Sequence, residues 1–302
     1  MIKKPLVSVI CLCYNHEQYV TEALDSIIKQ TYNEIEIIIL DDCSSDKSVE
    51  KIKLWLQNHP DIIFIQNKAN LGNTKSFNIA AKQAKGDYLI DFATDDLLID
   101  NCIEKQVNQF QNSDYKNLGL VYGNTILINE SGAFHSYFFD VDQNEKTIEK
   151  RPTGRIFNNI IDTGKVICSV SGMVSKKVFE QLNGYDVQLA YEDLDFWVRL
   201  SKEYEIDYID SVLVKKRIIA NSLGTQFHRE KKYSQKINHS TYLILKKIIR
   251  LVENKKECKA LLRKINYEII LCIKSKNYSL LIKLLLLKIE THWLLLIKPN
   301  FS

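Results

Sequence analysis

Leu6 to Cys13 reads LVSVICLC, an apolar run broken by a single hydroxyl. A strand this apolar is stable only where helices cover both of its faces, which selects a parallel sheet in an α/β chain over an antiparallel sheet with one wet face. The same pattern recurs along the first 112 residues. Strands are expected at Leu6 to Cys13, Ile35 to Leu40, Ile62 to Gln66 and Tyr88 to Phe92. Between them lie helical patterns: a stripe of Val20, Leu24, Ile27 and Ile28, then segments near 47–58, 74–85 and 100–111. Asn15 with Gln18 three residues on resembles a capping box, and Gly86 closes the third helix. Alternation of this kind implies an α/β fold with an open, mostly parallel sheet and right-handed crossovers.

The carboxyl ends of such strands form one edge, where ligands of open α/β sheets bind. Tyr14, Asp41, Asp42, Asp95 and Asp96 are all expected there. Two adjacent carboxylates at a buried strand tip need something to offset their charge, and a divalent cation carrying a phosphorylated ligand would do so. On spacing alone a second reading stays open, in which each acid caps the following helix. A third acidic cluster, Glu192-Asp193, opens the helical segment LDFWVRL, where the helix dipole favours negative charge.

Beyond Leu118 the pattern loosens. Strands are expected near 120–128, 206–209 and 212–219, with a loop from Ser131 to Thr153. Residues 230–302 read as helical throughout. The 302-residue chain is long enough for one large or two modest domains, and the division expected is 1–228 and 229–302. Seven cysteines without a C-x-x-C pair read as reduced, mostly buried thiols of a cytoplasmic protein.

Charge is distributed unevenly. Residues 229–302 carry 17 Lys+Arg against 5 Asp+Glu, a net charge of +12 on a chain whose total is +4. A segment this basic suits an anionic surface, so peripheral membrane association through residues 229–302 is expected. The tail lacks interleaved aromatics and any nucleic-acid motif, so no nucleic-acid partner is expected. Lys283, Lys288 and Glu290 interrupt its most apolar stretch, which therefore falls short of a spanning helix.

The succession VSVICLCYN, IIILDDCSSD, GDYLIDFATDD and SGMVSKKVFEQLNGYD running into YEDLDFWVRL resembles the ordered motifs of inverting family 2 glycosyltransferases with the GT-A fold. The resemblance spans roughly residues 5 to 220 and implies roles for particular residues. Tyr14 would stack on the base of a nucleotide-sugar donor, Asp42 would accept a hydrogen bond from uracil, and Asp41 would support it. Asp95 would contact the ribose and stand beside Asp96, which would bind Mn²⁺ or Mg²⁺. Asp193 would be the general base with Glu192 beside it, and Asn78 and Arg217 would lie on the donor side. Many members carry a further aspartate two positions before Asp95, where this chain has Ala93, and His228 is a candidate additional metal or phosphate contact.

The activity implied is metal-dependent, inverting transfer, most readily from a UDP-sugar, to a hydroxyl of a growing bacterial surface glycan such as a capsule, O-antigen or lipooligosaccharide. Its acceptor would be met at the inner face of the cytoplasmic membrane. A catalytically inactive scaffold that keeps the fold and is recruited by the basic tail is the alternative.

Overall fold

The computed structural model describes residues 4–163, 166–219 and 231–297. By packing, the chain falls into two compact units, one built from residues 1–154, 167–185 and 204–219, the other from 155–166, 186–203 and 220–302. The expected division at 228/229 therefore differs from the packing. Two internal segments, one of them carrying the Glu192-Asp193 pair, belong with the C-terminal helices.

The first half of the chain alternates as its sequence implies: β1 (Val7–Cys13), α1 (Val20–Ile28), β2 (Ile35–Asp41), α2 (Ser48–Leu56), β3 (Ile63–Gln66), α3 (Asn73–Ala81), β4 (Tyr88–Ala93), β5 (Leu97–Leu98) and α4 (Cys102–Asn112). Then follow β6 (Leu118–Ile128), β7 (Phe134–Tyr137), α5 (Phe157–Thr163), β8 (Met173–Ser175), α6 (Lys176–Gln181), α7 (Asp193–Glu203) and β9 (Glu205–Arg217). Three helices complete the described chain: α8 (Lys231–Leu251), α9 (Lys255–Lys274) and α10 (Tyr278–Ile297).

The nine strands among the described residues lie in the first unit and form one sheet in the order β3-β2-β1-β4-β8-β6-β9-β5, with β7 on β6. Strands β1, β2, β3 and β4 run parallel, and every residue of β1 is buried, as its unbroken apolar run requires. Short β8 joins this half to the rest by antiparallel pairing with β4 and β6. The core on one face gathers Val7, Val9 and Cys11 of β1 against Ala23, Leu24 and Ile27 of α1.

Several expectations are corrected. Asn15 and Gln18 do not form a capping box: α1 starts only at Val20, its cap makes no side-chain hydrogen bond, and Asn15 adopts φ +59° and accepts from Ser45 N at 2.8 Å. The two strands expected at 206–219 are a single long β9, whose pairing with β6 slips at Gly123 to Thr125 and so hides the continuity of its pattern. The loop expected at 131–153 contains β7, which is too short and polar to show a period.

Gly86 does not close the third helix as expected: α3 stops at Ala81 with Lys82 as its cap, and Gly86 stands where the chain enters β4. A Cβ there would lie 2.6 Å from both the backbone N and the Oγ of Ser8, because the chain enters β4 hard against the start of β1. Gly86→Ala should therefore destabilise the protein by about 1–3 kcal/mol through overpacking, read as a lower urea midpoint with an unchanged m-value.

Candidate active site

Parallel register brings the acidic residues to one edge. Cys13 pairs with Asp41 and Leu12 with Ala93, so the turns leaving β1, β2 and β4 open side by side. Tyr14, the first residue past β1, is 45% exposed, unusual for a tyrosine beside a core strand. A ring free at this edge can stack on a planar ligand.

Asp41 and Asp42 are both buried and both bonded within the protein. Asp41 accepts from Ser44 N at 2.9 Å and from Ser44 Oγ, closing its own turn. Asp42 reaches across to the loop before α3, accepting from Asn67 Nδ2, Leu71 N and Gly72 N at 2.8 Å each. Three of a carboxylate's roughly four acceptor positions are thus filled, and one on Oδ2 is left for a ligand donor. Asn78 of α3 has its amide doubly engaged, donating to Tyr185 O at 2.8 Å and accepting from Tyr185 N at 3.0 Å. Here it ties α3 to the segment after α6.

Asp95 and Asp96 occupy the turn between β4 and β5. Because β5 pairs antiparallel with β9, Leu97 opposite Lys215, the N–H of Arg217 arrives at Asp96 and donates to its Oδ1 at 2.8 Å. Burial, and next the neighbouring charge of Asp95, push the Asp96 carboxyl well above the usual carboxylate range, against the opposing pull of Lys216 and Arg217. Arg217 itself is buried. Its Nε donates to Asp95 O at 3.0 Å, Nη1 to Glu130 O at 3.0 Å and Nη2 to Glu22 at 3.0 Å, and its guanidinium lies 4.5 Å from the centre of the Tyr19 ring. Arg217 was expected on the donor side; its observed contacts make it the brace that holds the acidic turn against α1 and the β6–β7 hairpin.

His16 was not singled out in the sequence. Its Nδ1 lies 2.9 Å from Thr94 Oγ1 and 3.9 Å from Asp95 Oδ1, which places an imidazole beside the acid pair. The available signal was its position two residues past Tyr14, in the first of three turns that share an edge. His228 lies outside the described residues.

Among the described residues no group of three or more His, Cys, Asp or Glu side chains is arranged to hold a metal ion. Asp95 and Asp96 nonetheless fit a hard divalent cation. They offer oxygen ligands only, the donor type such a cation takes. With so few protein ligands, phosphate oxygens would have to complete the coordination shell.

Glu192 and Asp193 lie in the second unit. Asp193 opens α7, its Oδ1 accepting from Leu194 N at 2.6 Å, and Glu192 O accepts from Phe196 N at 3.2 Å. Their turn is anchored on α8. Ala190 N donates to Ser240 Oγ at 2.9 Å, Tyr191 Oη meets Thr241 Oγ1 at 2.8 Å, and Lys247 Nζ lies 2.6 Å from both Asp186 and the buried Asp195. Arg199, 2.7 Å from Asp195, completes this cluster. The basic C-terminal segment therefore supports the acidic motif directly.

The family profile described as glycosyl transferase family 2 matches residues 8–182, more than half of the chain. An uncharacterized glycosyltransferase of Methanocaldococcus jannaschii is 32% identical over 218 residues, 71% of each chain. The chain belongs to glycosyl transferase family 2.

Other relatives of this family 2 glycosyltransferase include an uncharacterized glycosyltransferase of Haemophilus influenzae, 29% identical over 77% of this chain and 71% of that one. Solved structures share its GT-A fold. S. aureus TarS 1-349 in complex with UDP-GlcNAc superposes with a TM-score of 0.64 at 18% identity, over 86% of this chain and 72% of that chain. The mannosyltransferase PcManGT from Pyrobaculum calidifontis, in complex with GDP-Man and Mn²⁺, superposes at 0.56 with 13% identity, over 97% and 88% of the two chains.

Two outcomes follow from this geometry. A buried acid whose folded pKa is raised weakens the fold once pH exceeds its unfolded value, and the penalty vanishes when it is protonated. Asp96→Asn should therefore melt above the wild type at neutral pH in metal-free buffer, with the gap narrowing as pH falls toward the carboxylate range in a series of thermal melts. Lys247→Met leaves Asp195 to Arg199 alone and should cost about 1–3 kcal/mol by chemical denaturation.

Proposed function

We propose that the protein is a metal-dependent, inverting glycosyltransferase that moves a sugar from a UDP-sugar to a hydroxyl of a growing bacterial surface glycan. The observation that carries the metal dependence is the Asp95-Asp96 turn, where a buried carboxyl, raised by burial and by its neighbour, faces the ligand edge of the sheet. In this reading Asp96 and Asp95 would hold Mn²⁺ or Mg²⁺, and the ion would supply positive charge against the departing diphosphate. That neighbours of the same fold were crystallised with UDP-GlcNAc or with GDP-Man and Mn²⁺ supports a nucleotide-sugar donor and a divalent cation.

The chain's own residues then divide the work. Tyr14 stacks on the base, Asp42 uses its remaining acceptor position for the uracil N–H, and Asp41 keeps the turn that presents it. Asp95, whose backbone Arg217 grips, turns its carboxylate to the ribose and the metal. Asp193 takes the proton of the acceptor hydroxyl as that oxygen attacks the anomeric carbon, and Glu192 fixes the geometry of the turn. Asp193 stands at the first position of α7. A single displacement with one base inverts the anomeric centre, so no carboxylate nucleophile is needed.

The acceptor proposed is a lipid-linked glycan intermediate, consistent with the basic C-terminal segment. Calorimetry with UDP, GDP, CDP and dTDP, each with and without Mn²⁺, should show tight binding of UDP only when the metal is present. Asp193→Asn should keep that binding and lose transfer by about 10²- to 10⁴-fold, and full activity in this variant would remove Asp193 as the base.

A further inference from the structure

Helix α10 has two apolar faces. Leu280, Leu284, Leu287 and Thr291 are buried, and the helix packs along α9. Ile282, Leu285, Leu286, Ile289, Trp293 and Leu296 are exposed, the last at 74%. Their positions are i, i+3, i+4, i+7, i+11 and i+14. At the α-helical rotation of about 100° per residue they fall within roughly 100° of arc, opposite the buried set. A helix that is apolar all round is ordinarily covered on every side, and among the described residues this one is covered on one.

The chemistry around the stripe indicates what covers the other. Lys283 and Lys288 occupy helical positions on either side of it, Lys283 with its Nζ 5.8 Å from the centre of the Tyr242 ring and Lys288 half-buried; Lys274 and Lys276 are exposed at the α9–α10 turn, and Glu290 is the one acid of α10. The segment as a whole carries 17 Lys+Arg against 5 Asp+Glu. A second copy docked face to face would bring these lysines together across the seam with Glu290 as the one acid beside them, whereas an anionic surface would neutralise them. No helix among the described residues is long and apolar enough to cross a membrane, so the stripe suits a helix lying in the plane of a bilayer. Trp293, 58% exposed, is the side chain best suited to the headgroup boundary.

We propose that the outward face of α10 is a docking surface for an anionic phospholipid bilayer, with the stripe from Ile282 to Leu296 sunk to the acyl boundary and Lys283 and Lys288 at the level of the lipid phosphates. The proposal rests on the lipid-linked acceptor only for its purpose, and its test is independent of sugar transfer. The full chain would be sedimented with vesicles of phosphatidylcholine alone and of phosphatidylcholine with phosphatidylglycerol in equal parts, in low and high salt. Binding should favour the anionic vesicles by roughly tenfold or more and fall as salt rises.

Leu286→Glu/Ile289→Glu changes only exposed positions and should weaken vesicle binding by at least about tenfold, while its melting temperature and UDP binding stay at wild-type values. Lys283→Gln/Lys288→Gln should lower anionic binding and leave the weak binding to neutral vesicles unchanged. Absence of binding to either vesicle, or equal binding by the Leu286→Glu/Ile289→Glu variant, would overturn the proposal. So would a concentration-dependent dimer in sedimentation equilibrium that this variant abolishes. Vesicle binding with no nucleotide binding would count against the donor site and leave the docking face standing.

Discussion

Two adjacent carboxylates in a buried turn are unstable unless something holds the turn and balances part of the charge, and in this protein Arg217 does both. Its backbone N–H caps Asp96, its Nε grips the Asp95 carbonyl, and its remaining donors reach Glu22 and the Glu130 carbonyl. The guanidinium keeps its charge at any relevant pH and presents several donors in a fixed plane, a combination that lysine lacks. The brace offsets the repulsion only in part, because burial and Asp95 still raise the Asp96 carboxyl. That residual imbalance is a cost to stability that the fold carries at this turn.

The second unit handles charge by the opposite means. Asp195 is buried and saturated by Lys247 and Arg199, Lys202 reaches Glu253 and Glu257, and Arg263 pairs with Asp162 through two short contacts. Two of the cations that make the C-terminal segment look like a tail for an external anion, Lys247 and Arg263, are therefore occupied in folding it. Lys247 fastens the helices to the segment that carries Glu192 and Asp193. Other lysines of the segment are exposed, Lys274 and Lys276 at the turn into α10 among them, and the apolar stripe lies on that helix.

The alternating first half was legible because each strand is buried on both faces and each helix on one, which leaves a period in the residues themselves. The gathering of Tyr14, Asp41, Asp42, Asp95 and Asp96 at one edge followed from that alternation, since parallel strands end on the same side. What each carboxylate does there was not legible. Asp41 and Asp42 both proved to be loop organisers, through partners 3 to 30 positions away. His16 went unnoticed because nothing in its own neighbourhood marks it; Thr94 and Asp95 lie 78 and 79 positions further along the chain.

By itself, then, the sequence determined the parallel half-sheet, the edge at which Tyr14 and the four aspartates gather and the family, because periodicity and motif order are local properties of the chain. Tertiary structure decided the rest: that β9 is one strand, that Arg217 stands behind the acid pair, that Asn78 is tied to Tyr185, and that the basic helices support the acidic motif. Each of these depends on contacts between residues about 50 to 120 positions apart, and a hydrogen bond or ion pair at that separation leaves no period for a one-dimensional pattern to show.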